Sequence, residues 1–362
     1  MPNPTSTPRS PDPARRRRPG SPLPWMLLVV AAVGAGGTFG VLKAANDRTA
    51  DLERVVGLDG VLVAAPRQDD PDIEYPAVNY LLVGSDSREG VDPGSVDADF
   101  IGDAGDVGGR RSDTIMLLRQ EHNGGASLMS LPRDLWVEIA GTGRSQRINT
   151  AFNDGAERLA ATVTQSLGIP VHHYVEVDFV GFKDIIERLG GVEVCVELPA
   201  RDTHSGLSLE AGCQVLDGVQ ALAFARSRYY QVWDGNSWQT DPRGDLGRIE
   251  RQQFFMRAAV DGTLRKLSSS PFGSGDLIGA IVASLRIDER LDPINAANAL
   301  RSAASSGLRT FALPVYNDQV GDAAVLRLAK GSDALIAYFR GEAPAPVEHE
   351  TTAVTATDPA AG

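Results

Sequence analysis

Apolar residues recur along this chain in two rhythms. Val78 to Val83, Thr114 to Arg119 and Ser127 to Leu131 are short apolar runs bounded by Gly, Asp or Pro, the pattern of strands buried on both faces. Tyr174 to Val177 is another such run, and Val192, Val194, Val196 and Leu198 alternate with polar residues as a half-exposed strand does. Between them the period lengthens. Ala156, Leu159, Ala160, Val163 and Leu167 predict a helix over 153–167 stopped by Gly168, and Phe179, Phe182, Ile185 and Leu189 predict a second stopped by Gly190-Gly191. Asp217 is a good N-cap for a short helix that delivers Arg226, and a further helix runs from about Asp245 past Phe255. Leu277 to Leu285 and Ile294 to Ser305 read as helical, Arg309 to Leu313 as a strand, and Ala323 to Phe339 as a last helix. The alternation predicts an α/β domain over residues 77–340, a sheet flanked by helices in α-β-α layers.

The segments outside that domain have different compositions. Residues 1–22 are Pro-rich and polar and end in the basic run Arg15 to Arg18. Leu23 to Leu42 then gives twenty residues without a formal charge, enough to cross about 30 Å of hydrocarbon. The run exceeds the apolar stretch of an ordinary cleaved signal, so it is read as an uncleaved transmembrane helix. The basic residues before it keep the amino terminus cytoplasmic and place the rest of the chain outside the plasma membrane. Residues 43–76 read as a charged stalk, and 341–362, rich in Ala, Pro, Thr and Glu, as a disordered tail.

Charge and cysteine usage fit that placement. The net charge is -12, yet the first 22 residues contribute five Arg and one Asp, so the remainder sums to -16 (-12 minus +4). Such a chain lacks the broad basic surface that nucleic acid requires. Cys195 and Cys213 are its two cysteines. Cys195 shares the polar face of its strand with Glu193 and Glu197, and in an oxidising compartment the pair is expected to form a disulfide.

Against this acidic background nine arginines gather at strand ends and turns: Arg88, Arg110, Arg111, Arg133, Arg147, Arg226, Arg228, Arg248 and Arg251. Guanidinium forks grip phosphate oxygens bidentately and stay charged, so a phosphate-handling site is the sharpest reading. Asp86 follows the first strand and Asp113 opens the second; two carboxylates so placed can share a divalent cation such as Mg²⁺ with phosphate oxygens. Asp245, Arg248 and Gln252 fall on one face of their helix. His172-His173 has no partner at metal spacing and reads as a strand-edge pair. No GxSxG elbow, CxxC pair or GxxxxGK[ST] loop occurs.

The ordered strings NYLLVGSDSR, RRSDTIMLL, SLPRDLWVEI, RINTAF, YVEVDFVGF, LGGVEV, ALAFARSR and GDLGRIERQQ resemble the signature of the LytR-CpsA-Psr family of cell-wall glycopolymer ligases. The resemblance implies a phosphotransferase that moves a glycopolymer from a polyprenyl pyrophosphate carrier to a peptidoglycan hydroxyl. It places Arg88, Arg111, Arg133, Arg147, Arg226, Arg228, Arg248 and Gln252 around the pyrophosphate, and Mg²⁺ or Mn²⁺ on Asp86 and Asp113. Asp245 then binds metal, orients an arginine or acts as base. A lipid slot near Phe152, Phe179, Phe182 and Ile186 is a further expectation, with core packing the alternative. The chain departs from the pattern in an Asp- and Gly-rich insert between Arg88 and Arg110, read as a solvated loop. It also has a long loop carrying Tyr229, Tyr230, Trp233 and Trp238, whose aromatics stack on sugars or pack the loop. Competing functional classes are a lipid-pyrophosphate hydrolase and a non-catalytic binding module or wall regulator.

Overall fold

The computed structural model describes residues 53–67, 74–86, 112–122, 125–242, 247–248, 251, 284–292 and 308–346, with backbone alone at 113 and 308. The expected segments 1–22 and 23–42, the insert after Arg88 and the expected helices over 277–285 and 294–305 lie wholly or almost wholly outside these residues. Among the described residues no helix is long and apolar enough to cross a membrane.

In chain order the strands begin with β1 (Glu53–Val55), β2 (Ala77–Ser85), β3 (Ser112–Glu121), β4 (Ala126–Leu131), β5 (Trp136–Ile139) and β6 (Arg144–Arg147). A 3-10 turn (Ile148–Asp154), α1 (Ala156–Leu167), β7 (His173–Val177), α2 (Phe179–Leu189) and β8 (Val192–Val196) follow. Next come β9 (Ala200–Asp202), β10 (Leu207–Leu209), β11 (Gly212–Leu216), α3 (Gly218–Arg226), β12 (Gln231–Trp233) and β13 (Trp238–Thr240). The chain closes with β14 (Arg286–Asp288), β15 (Leu308–Ala312), β16 (Val315–Val320), β17 (Ala323–Leu328) and α4 (Ser332–Arg340).

A seven-stranded mixed sheet in the order β1-β14-β7-β2-β3-β4-β15 organises the molecule. Because side chains alternate across a strand, the continuous apolar runs of β2, β3 and β4 feed a separate core on each face. Tyr80, Leu82, Met116, Leu118 and Leu128 pack with α2, α3, β8 and the small sheet of β9, β10 and β12. Leu81, Val83, Ile115, Leu117 and Met129 pack on the other face with α1, the 3-10 turn, β5 and α4. The expected layering is therefore present.

Helix ends follow their local chemistry. Asp178 caps α2 by accepting from the Gly181 amide at 2.7 Å, and Asp217 and Gln220 form a reciprocal capping box on α3. Cys195 and Cys213 lie opposite each other in the β8–β11 ribbon and are bonded, 18 residues apart. Closing that loop is worth about 3 kcal/mol in the chain-entropy account.

Several expectations need correction. Ala323–Leu328 is a strand, not the start of a helix: it pairs along its whole length with β16 through a connection of Gly321 and Asp322, with Gly321 at φ 59°. Gly at the first central position suits a two-residue hairpin turn, and the helix starts only at Ser332, after Gly331 at φ 96°. Within the expected 43–76 stalk, β1 is an edge strand of the main sheet and Leu58 and Leu62 are buried in its core. At the far end, Gly341 accepts from the Tyr75 amide and Ala345 packs on the same core, although both fall in the expected tail. The aromatic loop is a hairpin, β12–β13, added to β9 and β10.

The His172-His173 pair is structural. His172 Nδ1 accepts from the Asn79 amide at 2.8 Å, and His173 bonds Asp288 at 3.2 Å. Burial, with repulsion from His173 and Arg119, pushes the His172 imidazole down to about 4. The unfolded chain takes up this proton near the ordinary value of 6.5 and the folded protein only near 4. This group's contribution to stability is thus complete above pH 6.5, declines as pH falls toward 4, and is flat below. The loss is on the order of 3 kcal/mol. An imidazole titration followed by NMR should show His172 neutral at pH 5. His172→Gln, which keeps an acceptor for Asn79, should flatten the decline in melting temperature between pH 6.5 and 4; a His172 midpoint near 6.5 would contradict the assignment.

Candidate active site

Strand polarity decides where chemistry collects. β2, β4, β7 and β15 run in one direction while β3 and β14 run in the other. One edge of the sheet therefore carries the ends of β2 (Ser85-Asp86), β4 (Leu131 to Arg133) and β7 (Val177-Asp178), together with the start of β3 (Ser112-Asp113). The β2–β3 register shifts here: Gly84 faces Thr114 and Ser85 faces Ser112, leaving Asp113 as the extra residue of a bulge. Gly84 permits this approach, since a Cβ there would stand 3.1 Å from Thr114 Cβ. The backbone thus brings Asp86 and Asp113 to adjacent strand ends. Ser112 is fully buried at the same place, and its hydroxyl has no hydrogen-bond partner among the described residues. Asp86 and the Ser112 hydroxyl offer oxygen atoms, the donor type that hard divalent cations take. Among the described residues, no three His, Cys, Asp or Glu groups cluster as a metal centre.

The turn after β4 is held from behind. The Arg133 carbonyl accepts from the Asn149 amide at 3.1 Å and the Leu135 carbonyl from Ile148 at 2.8 Å. Asp134 lies between Arg133 and Arg147, 3.4 Å from the Nε of each. The Arg147 guanidinium also donates to the Ala324 carbonyl on β17 at 2.7 Å, so in this arrangement it fastens a hairpin.

Arg226 and Arg228 leave the end of α3, where Arg226 sits over the Phe179 ring at 5.6 Å, just past the end of β7. What fixes this turn is Asp202, fully buried on β9. Its carboxylate accepts from Ser227 Oγ at 2.7 Å, from the Arg228 and Tyr229 amides at 2.9 Å, and from the His204 amide at 2.9 Å. Burial alone would raise the Asp202 carboxyl, but these bonds together hold it below the ordinary carboxylate value. Arg251 completes the clamp, donating to Asp241 at 2.9 Å and to the Ser227 carbonyl at 3.0 Å while covering the Tyr230 ring. Gly247 is required beside it, because a Cβ would meet Asp241 Oδ2 at 2.5 Å. Arg248, next to Gly247, is almost wholly buried.

Arg133, Arg226 and Arg228 are thus placed on the turns that border this edge or pack beside it. Arg88, Arg110, Arg111, Asp245, Gln252 and the Asp113 side chain lie outside the described residues. Phe152 does not share a slot with Phe179, Phe182 and Ile186: it belongs to the core on the opposite face of the sheet. Two carboxylates escaped sequence reasoning. Asp178 caps α2 at the site edge, and burial raises its carboxyl against the pull of the Gly181 amide. Asp202 sits in a three-residue strand with no apolar pattern to mark it.

Comparison with known proteins gives a consistent answer. Residues 63–335 match the LytR_cpsA_psr family. A probable cell wall biosynthesis protein, LcpB, from Corynebacterium glutamicum is 34% identical over 271 residues, 72% of this chain and 61% of that protein. The Bacillus mycoides polyisoprenyl-teichoic acid–peptidoglycan teichoic acid transferase TagU is 32% identical over 271 residues, covering 72% of this chain and 77% of its own. The chain spans about three fifths of the length of several such relatives. Among solved structures, a LytR-Csp2A-Psr enzyme from Actinomyces oris superposes with a TM-score of 0.60 at 25% identity, over 80% of this chain and 95% of the other. TagT bound to LI-WTA shares the fold, with a TM-score of 0.55 at 22% identity over 80% of this chain and 99% of its own.

The Asp202 hub makes a measurable demand. Asp202→Ala strands the Ser227 hydroxyl and several amides in a buried setting and should lower stability by about 3 kcal/mol in urea unfolding. A loss below about 1 kcal/mol would mean that the turn is held by other contacts.

Proposed function

The chain belongs to the LytR-CpsA-Psr family, and from that premise we propose that it transfers a glycopolymer from a polyprenyl pyrophosphate carrier to a peptidoglycan hydroxyl. The acceptor oxygen attacks the glycopolymer-bearing phosphorus, the bond to the bridging oxygen breaks, and polyprenyl phosphate leaves. The product is a phosphodiester and the hydroxyl proton is released. The supporting observation is the sheet edge at which Asp86, the Asp113 bulge and Arg133 occupy three consecutive strand ends.

Pyrophosphate cleavage spreads negative charge over the transferring phosphoryl group and the departing phosphate, so its catalysis is mostly electrostatic placement. Arg133, Arg226, Arg228 and Arg248 supply fixed positive charge in this reading, with Arg88, Arg111, Arg147 and Gln252 joining them by motif. Asp86 and Asp113 would hold Mg²⁺ or Mn²⁺, which when bound neutralises pyrophosphate oxygens and polarises the phosphorus under attack. Asp245 stands as base, metal ligand or partner of an arginine. The carrier is a membrane lipid, in keeping with a chain tethered through residues 23–42 to the plasma membrane with its domain outside.

Arg→Lys keeps charge but loses the planar fork. Arg228→Lys should therefore lower the transfer rate about ten- to a hundredfold while changing donor affinity much less. Equal losses in both would assign Arg228 to ground-state binding, and a wild-type protein that binds donor but neither transfers nor hydrolyses it would leave a binding module. Asp113→Ala should abolish metal-dependent turnover with the melting temperature nearly unchanged. Full wild-type activity in excess chelator would remove the metal from the mechanism.

A further inference from the structure

The β10-β9-β12-β13 sheet has an inner face that the fold needs and an outer face that it does not. Ala200, Leu207 and Leu209 point into the core beneath α2 and α3, with Val232 packed against it. By alternation the other face carries Ser208, Arg201, Gln231, Thr240, Trp233 and Trp238. Trp233 and Trp238 are directly paired across the hairpin, ring centroids 5.5 Å apart, and Arg201 lies over the Trp238 ring at 4.1 Å. Arg201 Nε donates to Gln231 Oε1 at 2.9 Å, and Gln231 Nε2 donates to Thr240 Oγ1 at 3.4 Å. Tyr229, 56% exposed, is tilted against His204 at the end nearest the arginine turn.

We propose that this outer face is a saccharide-binding platform. An indole presents a flat apolar surface to the C–H face of a pyranose, and a planar amide, a guanidinium and a hydroxyl held in one row answer its ring of hydroxyls. Arg201 is the single charged residue of the six, so the face suits a neutral or weakly anionic glycan and lacks the basic density that nucleic acid requires. Four strands span about 14 Å, the length of a short oligosaccharide. A cross-strand tryptophan pair also stabilises a hairpin. That role does not account for the pair's place on the side away from the core, beside polar groups already fixed to one another.

The platform is continuous with the arginine turn. β12 begins three residues after Arg228, and Asp202, adjacent to Arg201 on β9, holds the Arg228 and Tyr229 amides. A sugar on the tryptophans therefore lies on the same mechanical unit as the guanidinium proposed to contact the phosphate. Which saccharide arrives rests on the phosphotransferase reading; the binding itself does not.

The test uses the full-length protein carrying 5-fluorotryptophan at its four tryptophans, Trp25, Trp136, Trp233 and Trp238, with signals assigned through single Trp→Phe variants. Three probes are added: an N-acetylglucosamine tetramer, a soluble peptidoglycan fragment, and a lipid pyrophosphate-linked oligosaccharide. The Trp233 and Trp238 signals should shift saturably while Trp136 stays still. A response to the first two probes marks an acceptor subsite, and one to the third alone marks a donor-sugar subsite. Trp238→Ala should weaken binding about tenfold. No shift with any probe, or an equal shift with detergent alone, overturns the platform. Binding without transfer would leave the platform standing and remove the phosphotransferase; transfer with unmoved tryptophan signals would do the reverse.

Discussion

The central strands must bury both of their faces at once, and the remaining architecture answers that requirement. Leu81 and Val83 point to one side of β2, Tyr80 and Leu82 to the other, and β3 and β4 repeat the division. Slipping one strand by a residue would exchange the two sets and bring each against the wrong helices. The register is therefore pinned by packing, and it tolerates irregularity only where the pairing ends. The bulge at Asp113 falls at that limit, beside the strand ends where Asp86 and Arg133 lie.

Arginines around that edge divide into two roles that look alike in a sequence. Arg251 is occupied with Asp241, the Ser227 carbonyl and the Tyr230 ring, and Arg147 with Asp134 and the Ala324 carbonyl. They shape turns. Arg228 is exposed, and its backbone amide is held by Asp202. A guanidinium whose position is set through its amide can approach an anion without first losing much backbone freedom.

Much of this fold is legible in the sequence. β2, β4, β7, α2 and α3 lie within a residue or two of their predicted bounds, because their apolar runs are dense and their ends carry Gly or Asp. The small elements are not. β14 is Arg-Ile-Asp, and its two charged residues are accommodated by specific partners: Arg286 by Glu53 and Glu176, and Asp288 by His173 and the Tyr174 amide. No periodicity encodes such a strand. β17 reads as helix although Gly321-Asp322 is a hairpin signal, since AAVLRL carries strong helix formers; pairing with β16 overrides that preference. At the site, motif order nominates the arginines and acids; the contacts that Arg147 and Arg251 make, and the hub at Asp202, depend on distant segments and carry no local signal.

The amino-terminal strand has a mechanical meaning. β1 runs parallel to β14 in three residue pairs, tied by Arg286 to Glu53 and by Arg54 to the Asp288 and Leu291 carbonyls. A force drawn along the chain before Glu53 loads those bonds in shear, all together, instead of unzipping them one after another. β14 passes the load through its charged contacts to β7 and so to the middle of the sheet. The edge strand that looked like part of a stalk is the grip by which the domain can be pulled without being opened.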